Sequence, residues 1–249
     1  MTADSVSAVE ASALRVIGLI DLTDLADDHA AAGIGSLCER AARHQTAAVC
    51  VWPEFVTRCH HALAGTGVRV ATVVNFPGGD EDIDDVVRSS ERALEHGADD
   101  IDVVLPYHAF LDGRTAVAAG AVERVAALVS EPAVLKVILE TGALPADRIA
   151  EATRLAIDHG ADFVKTSTGK IGVGATLDAV DAMLAVIAAA DRPIGIKPSG
   201  GIGTLAAAET YLEHAEAVMG RGWPTPATFR FGASGLLDAL LADIAAAAD

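Results

Sequence analysis

Lysine is scarce in this chain. Of 18 basic residues only four are lysines, Lys136, Lys165, Lys170 and Lys197, and all the rest are arginine. Basic residues are also outnumbered, 18 against 35 acidic, so the formal charge is −17. Such a field repels nucleic acid and anionic membrane surfaces, and neither is expected as a partner. Long apolar runs are missing too: the longest, Ala182–Ala190, falls far short of the ~18–20 residues a spanning helix needs. The N-terminal stretch carries Asp4 and Glu10 and no cationic region, which does not read as a secretory signal. The three cysteines, Cys38, Cys50 and Cys59, are odd in number and lack C-x2-C spacing, so reduced thiols in a cytoplasmic protein are expected.

What is present points to a packed globule. Apolar residues make up 51% of the 249, too many for disorder, and the length suits one domain covering 1–249. Where arginine serves for nearly every cation, lysine marks places where arginine cannot substitute. A lysine amine can lose its proton and attack a carbonyl.

Short β-branched runs alternate with alanine-rich amphipathic stretches. Strands are predicted at Val16–Leu22, Ala47–Val51, Val68–Asn75, Asp100–Val104, Ala133–Leu139, Phe163–Lys165, Pro193–Lys197 and Thr228–Phe231. Between them, Asp80–His96 sets Ile83, Val86, Val87, Ser90 and Leu94 on one helical face. Pro53 before Glu54–Ala64 and Pro145 before Ala146–His159 suit helix starts. Eight such units in about 250 residues predict an α/β fold, a single (β/α)8 TIM barrel. No G-x-G-x-x-G follows the first strand, which argues against a dinucleotide-binding sheet.

A weak internal repeat fits the barrel. Glu95-His96-Gly97-Ala98-Asp99 precedes the fourth strand and Asp158-His159-Gly160-Ala161-Asp162 the sixth, each with Gly where a helix end needs positive φ. Three residues past the repeated Asp stand Asp102 and Lys165, which should face into one interior layer. Alternation along the fifth and seventh strands turns Lys136 and Lys197 inward as well. Three of the four lysines and Asp102 are thus expected to converge on one barrel mouth, with Lys170 in the loop beyond Lys165. An ammonium beside another amine, in a partly desolvated site, disfavours a second positive charge. Lys197 next to Lys165 therefore favours a free amine for attack on an aldehyde, and Asp102 offers a carboxylate for proton transfer. The alternative is an inert network of buried ion pairs.

Three loops at late strand ends resemble anion cradles: Thr166-Ser167-Thr168-Gly169-Lys170, Pro198-Ser199-Gly200-Gly201 and Gly232-Ala233-Ser234-Gly235. Glycine permits close backbone approach, hydroxyls donate, and barrel phosphate sites favour the loops after strands seven and eight. Cys50 reads as a small core residue. The eight histidines are scattered, giving no metal site, and the acidic run Asp80–Asp85 reads as a solvated helix cap.

These motifs in this order resemble the deoxyribose-phosphate aldolase family, Schiff-base aldolases that cleave 2-deoxy-D-ribose 5-phosphate to acetaldehyde and D-glyceraldehyde 3-phosphate. The resemblance runs from Ile20-Asp21-Leu22-Thr23 to Arg230-Phe231-Gly232-Ala233-Ser234. Its most specific parts are Asp102-Val103-Val104, Leu135-Lys136-Val137-Ile138 with Glu140-Thr141, Gly160 through Gly169, and Lys197-Pro198-Ser199-Gly200-Gly201. The resemblance implies Lys165 as nucleophile, Asp102 as proton donor and acceptor, and Lys197 as the group that perturbs Lys165 and assists proton transfer. It also implies Gly169, Lys170, Gly200, Gly201 and Ser234 near a phosphate, with Asp21, Cys50 and Thr168 lining the pocket. No metal or organic cofactor is implied; the expected partners are a phosphorylated sugar and aldehydes, and a homodimer through outer helices.

Two departures from the family pattern stand out. Gly235 follows Ser234 where better-known members have a second Ser, which removes one phosphate donor. The last helical stretch runs into Ala245–Ala248 and Asp249 without the terminal Tyr some members carry, so slower exchange of the acetaldehyde methyl protons is expected. Two other readings remain at this level: a different sugar-phosphate barrel, isomerase or metal-dependent aldolase, and a catalytically silent phosphate-sugar binder. The first lacks a His/Glu cluster at strand ends, and the second does not account for the Lys/Asp/Lys trio.

Overall fold

The computed structural model describes residues 3–27 and 31–248. An N-terminal helix, α1 (Ala3–Ile17), precedes eight strands: β1 (Ile20–Asp24), β2 (Ala48–Val51), β3 (Arg69–Val74), β4 (Asp100–Val104), β5 (Val134–Ile138), β6 (Phe163–Lys165), β7 (Gly195–Lys197) and β8 (Phe231–Ala233). The helices between and after them are α2 (Ala31–His44), α3 (Val56–Leu63), α4 (Ile83–Glu95), α5 (Tyr107–Leu111) and α6 (Thr115–Ala126). They continue with α7 (Ala146–Asp158), α8 (Leu177–Ile187), α9 (Leu205–Met219) and α10 (Leu236–Ala248). The strands neighbour one another in parallel in the order β7-β6-β5-β4-β3-β2-β1-β8, and the bridges Ile196–Phe229 and Ser199–Gly232 close the ring. The fold is the expected (β/α)8 barrel.

Two strands differ most from expectation, the second, third, fifth and seventh being only one or two residues shorter at one or both ends. Val16 and Ile17 end α1, because with Ala13 they form its buried stripe, and β1 begins only after the break at Gly18. The last strand runs Phe231–Ala233 rather than Thr228–Phe231, so Gly232 and Ala233 belong to a strand and not to a loop. In α4, Val86, Ser90 and Ala93 are the buried positions, Leu94 lying at the edge. The acidic run is a cap as expected: Asp82 Oδ1 accepts from the Asp85 amide at 3.0 Å. Asp84 and Glu81 additionally pair with Arg124 and Arg114.

The repeat has a physical cause. Asp99 Oδ2 accepts from the Val70 amide of β3 at 2.8 Å, and Asp162 Oδ2 from the Leu135 amide of β5 at 2.9 Å. Each therefore ties its strand to the start of the preceding one. Gly97 (φ 95°) and Gly160 (φ 109°) turn the chain from helix to strand, and a Cβ on either would lie 2.6 Å from His60 or Ala126.

Register and tilt set the depth of each inward side chain. Asp102 pairs with Lys136, Lys136 with Phe163 and Phe163 with Gly195, whereas Lys165 pairs with Ile138 and Lys197. In an eight-stranded barrel of shear eight, positions at one height climb about one residue per strand. Lys165, two strands beyond Asp102, therefore stands level with it. The same counting yields three stacked layers drawn from alternate strands. Cys50, Asp102, Lys165 and Gly232 form the upper layer, Asp21, Ala71, Lys136 and Lys197 the middle one, and Ala48, Asp100, Phe163 and Arg230 the lower. Large aliphatic side chains, usual in such interiors, are absent from these layers.

Candidate active site

The upper and middle layers interlock through charge. Asp102 Oδ2 accepts from Lys165 Nζ at 2.9 Å and from Lys197 Nζ at 2.7 Å, while Lys136 Nζ lies 3.2 Å from Oδ1. Lys197 Nζ also lies 2.6 Å from Asp21 Oδ2. From below, Arg230 Nη1 donates to Asp21 Oδ1 at 2.7 Å, Lys136 donates to Asp100, and Arg69 Nε donates to Asp100 Oδ1 at 2.7 Å. Asp21, Asp100, Asp102, Lys136 and Lys197 are wholly buried, and of the barrel lysines only Lys165, at 3%, touches solvent.

Burial alone would favour the neutral form of every one of these groups. It works against the Lys197 ammonium, yet the carboxylates of Asp102 and Asp21 outweigh it and push Lys197 up, so this cation stays charged. Burial likewise works against the Asp102 carboxylate, and Lys136, Lys165 and Lys197 together hold it well below the usual carboxylate range. Asp21 is depressed in the same manner by Lys197, Arg230 and Lys136 against its own desolvation. Burial pushes the Cys50 thiol up and leaves it a poor nucleophile, consistent with a core role.

Above Lys165 opens a cavity of about 640 Å³. Thr168, Gly169, Lys170, Gly200, Gly201 and Ser234, all expected near a phosphate or in the pocket, line it together with Lys165. Gly235, Ser199 and Thr23 to Ala26 complete much of its wall. Three expectations need correction. Lys136 does not reach the mouth: it lies in the middle layer, one level under Asp102, because register fixes depth where alternation fixes only the face. Asp21 and Cys50 sit beneath the cavity rather than on its wall, Asp21 gripped by Lys197 and Arg230, Cys50 packed with Leu25, Ala48, Ala71 and Val73.

Sequence reading missed Asp100, Arg230 and Glu140 as parts of the site. Asp100 shares the inward face with Asp102 two residues on, a signal that was available. Glu140 adopts a left-handed conformation (φ 56°, ψ 57°) at the end of β5, and both its carboxylate oxygens lie 3.3 Å from the Thr168 amide. Burial pushes its carboxyl up, the Thr168 hydrogen bonds opposing. Among the described residues no three His, Cys, Asp or Glu side chains group to hold a metal ion, and no helix is long and apolar enough to cross a membrane.

Comparison with known proteins agrees with this geometry. The sequence profile described as DeoC/LacD family aldolase matches residues 15–240. The deoxyribose-phosphate aldolase of Agrobacterium fabrum is 47% identical over 236 residues, 93% of this chain and 91% of that protein. A Toxoplasma gondii ME49 structure provisionally named a deoxyribose-phosphate aldolase superposes with a TM-score of 0.87 at 25% identity, covering 96% of this chain and 99% of the other. The Aeropyrum pernix deoxyribose phosphate aldolase, described as tetrameric, shares the fold at a TM-score of 0.79 and 22% identity, with coverage of 97% and 98%.

Proposed function

The chain belongs to the DeoC/LacD family of aldolases, and from that premise we propose that it cleaves 2-deoxy-D-ribose 5-phosphate reversibly through a Schiff base on Lys165. The observation that carries this reading is one carboxylate oxygen, Asp102 Oδ2, shared by the Nζ atoms of Lys165 and Lys197 at the cavity floor. Lys165 has only a share in Asp102, which Lys136 and Lys197 also face, and it alone of these three lysines opens to the cavity.

The steps then follow. The Lys165 amine attacks the C1 carbonyl of the open-chain sugar, and Asp102 carries the ammonium proton to the resulting alkoxide. Loss of the carbinolamine hydroxyl as water consumes a proton relayed from Lys197 through Asp102 and leaves an iminium. The C3 hydroxyl proton passes through Asp102 back to Lys197 as the C2–C3 bond breaks, and that bond's electron pair flows to the iminium, giving an enamine and free glyceraldehyde 3-phosphate. Protonation at C2 and hydrolysis release acetaldehyde and restore the amine. Lys170, the backbone N–H groups near Gly200 and Gly201, and the Ser234 hydroxyl line the end of the cavity assigned to the phosphate. The three unpaired cysteines are in keeping with a cytoplasmic enzyme of deoxyribose phosphate breakdown.

Borohydride trapping tests the assignment. Reduction in the presence of acetaldehyde should attach an ethyl group to Lys165, identified by peptide mass. A label on Lys136 or Lys197, or no label, overturns it.

A further inference from the structure

Lys170 is the one lysine outside the barrel interior, and its ammonium is already occupied. Its Nζ lies 2.8 Å from Asp27 Oδ1 and 5.8 Å from the centroid of the Trp52 ring. Asp27 follows β1, whereas Lys170 follows β6, and the loops after β7 and β8 lie between them around the mouth. The ion pair therefore links the two segments that flank, around the mouth, the loops carrying Gly200, Gly201 and Ser234. Both ends are anchored. The Trp52 indole N–H donates to Ala26 O at 3.1 Å, tying the β1 loop to the β2 loop, and Trp52 sits edge-on to Phe76. On the other side the Lys170 amide donates to Thr168 Oγ1 at 3.1 Å, and the Thr168 amide points at Glu140. The backbone of Lys170 is thus held, and the end of its long side chain rests on the Asp27 carboxylate.

Resting on the phosphate-end reading above, we infer that Asp27 is a specificity-determining residue: its carboxylate is the resident counter-ion of Lys170, latched across the phosphate end of the cavity, and a phosphate must take its place. Asp27 has a side chain 85% exposed, so the pair is weak and easily exchanged. A dianionic phosphate among several N–H and O–H donors outcompetes it, whereas a substrate without phosphate leaves the latch shut. The latch thus lowers affinity for every phosphorylated ligand by the strength of one exposed ion pair. Substrates that carry no phosphate are spared that penalty.

The test uses inorganic phosphate as a competitive inhibitor of 2-deoxyribose cleavage. Asp27→Asn should tighten phosphate inhibition by about two- to fivefold, the range of an exposed ion pair. Asp27→Glu, which keeps the charge, should stay within about twofold of the parent. Lys170→Gln should weaken phosphate, and adding Asp27→Asn to it should produce no further tightening, because the coupling runs through that one ammonium. Equal tightening in both backgrounds would reveal a general field effect and overturn the latch. So would an Asp27→Asn enzyme that binds phosphate no better than the parent while Lys170→Gln binds it worse; in that case the phosphate site stands and only the role of Asp27 fails. If phosphate does not compete even in the parent, the phosphate-end reading falls and the latch with it.

Discussion

Lys165 and Lys197 are register partners on β6 and β7, and their amines meet on a single oxygen of Asp102, at 2.9 and 2.7 Å. The geometry gives the two lysines unequal standing. Lys197 has two carboxylates, Asp102 and Asp21, and is held as a cation; Lys165 has a share in one and opens to the cavity. Replacing Lys197 by Leu removes the competing cation and hands Asp102 to Lys165 as its counter-ion. The rising limb of the pH profile of kcat/KM should move to higher pH by about one unit or more, with activity at pH 7 reduced at least about tenfold. A profile that falls in height without moving would show that Lys197 acts by another route.

Asp102 faces the Nζ atoms of three lysines, so removing its charge affects chemistry and fold together. Asp102→Asn keeps the shape and loses the carboxylate proposed to carry protons, and kcat should drop by about 10²- to 10⁴-fold. Because Lys136 and Lys197 are wholly buried, taking away a carboxylate they share should also destabilise the barrel by about 3–5 kcal/mol. Steady-state kinetics beside urea denaturation separates the two effects, and an enzyme of parental stability and activity would contradict the network.

Acid should loosen this core in a defined direction. The carboxyls of Asp21 and Asp102 are held below their ordinary range in the folded chain by surrounding cations, despite burial. Groups with depressed folded values bind fewer protons folded than unfolded. Their stabilisation is fully present above the unfolded carboxylate value of about 4 and is lost as pH falls towards the folded values. Denaturant midpoints should therefore be flat across mild acid on account of these groups and decline below about pH 4. In Asp21→Asn the decline should be shallower, from a lower starting stability. A decline no shallower than in the parent would count against the assigned shift.

Much of this was readable in the linear chain, and the limits have a physical origin. Alternation of β-branched and alanine-rich segments marks the barrel, and two Gly-Ala-Asp units place Asp102 and Lys165 at one level because each repeated Asp anchors its strand to the preceding one. Period-2 patterning tells which residues point inward but not how deep they sit. Depth comes from shear, a property of the closed ring, which is why Lys136 was expected at the mouth and lies under it. The left-handed turn at Glu140 and the contact between Asp27 and Lys170, 143 positions apart, depend on loops meeting across the barrel and leave no local trace.

The lower layer offers a packing test. Gly195 stands next to Phe163 in register, and a Cβ added there would come within 2.3 Å of the ring. Gly195→Ala should destabilise the barrel by about 1–3 kcal/mol through overpacking, and Phe163→Leu alone should destabilise it by leaving space unfilled. Combined, the new methyl group enters the space the ring vacates, so the double variant should be clearly more stable than the summed single effects. Additive losses in thermal or urea unfolding would mean that the two residues do not share that volume.

Gly235 is where the cavity wall has room. No atom lies within 4 Å of a Cβ built there, and the residue lines the same cavity as Ser234. Gly235→Ser should therefore fold without strain and add a hydroxyl donor at the end where Lys170, Gly200 and Gly201 gather. A hydrogen bond to a charged acceptor contributes about 1.5 kcal/mol at the low end, which corresponds to roughly tenfold in binding. KM for 2-deoxyribose 5-phosphate should fall by about tenfold. Kinetics on unphosphorylated 2-deoxyribose should stay near parental values, since that substrate has nothing for the hydroxyl to hold. An equal gain on both substrates would place the new hydroxyl against the sugar, and the phosphate end of the cavity would have to be reassigned.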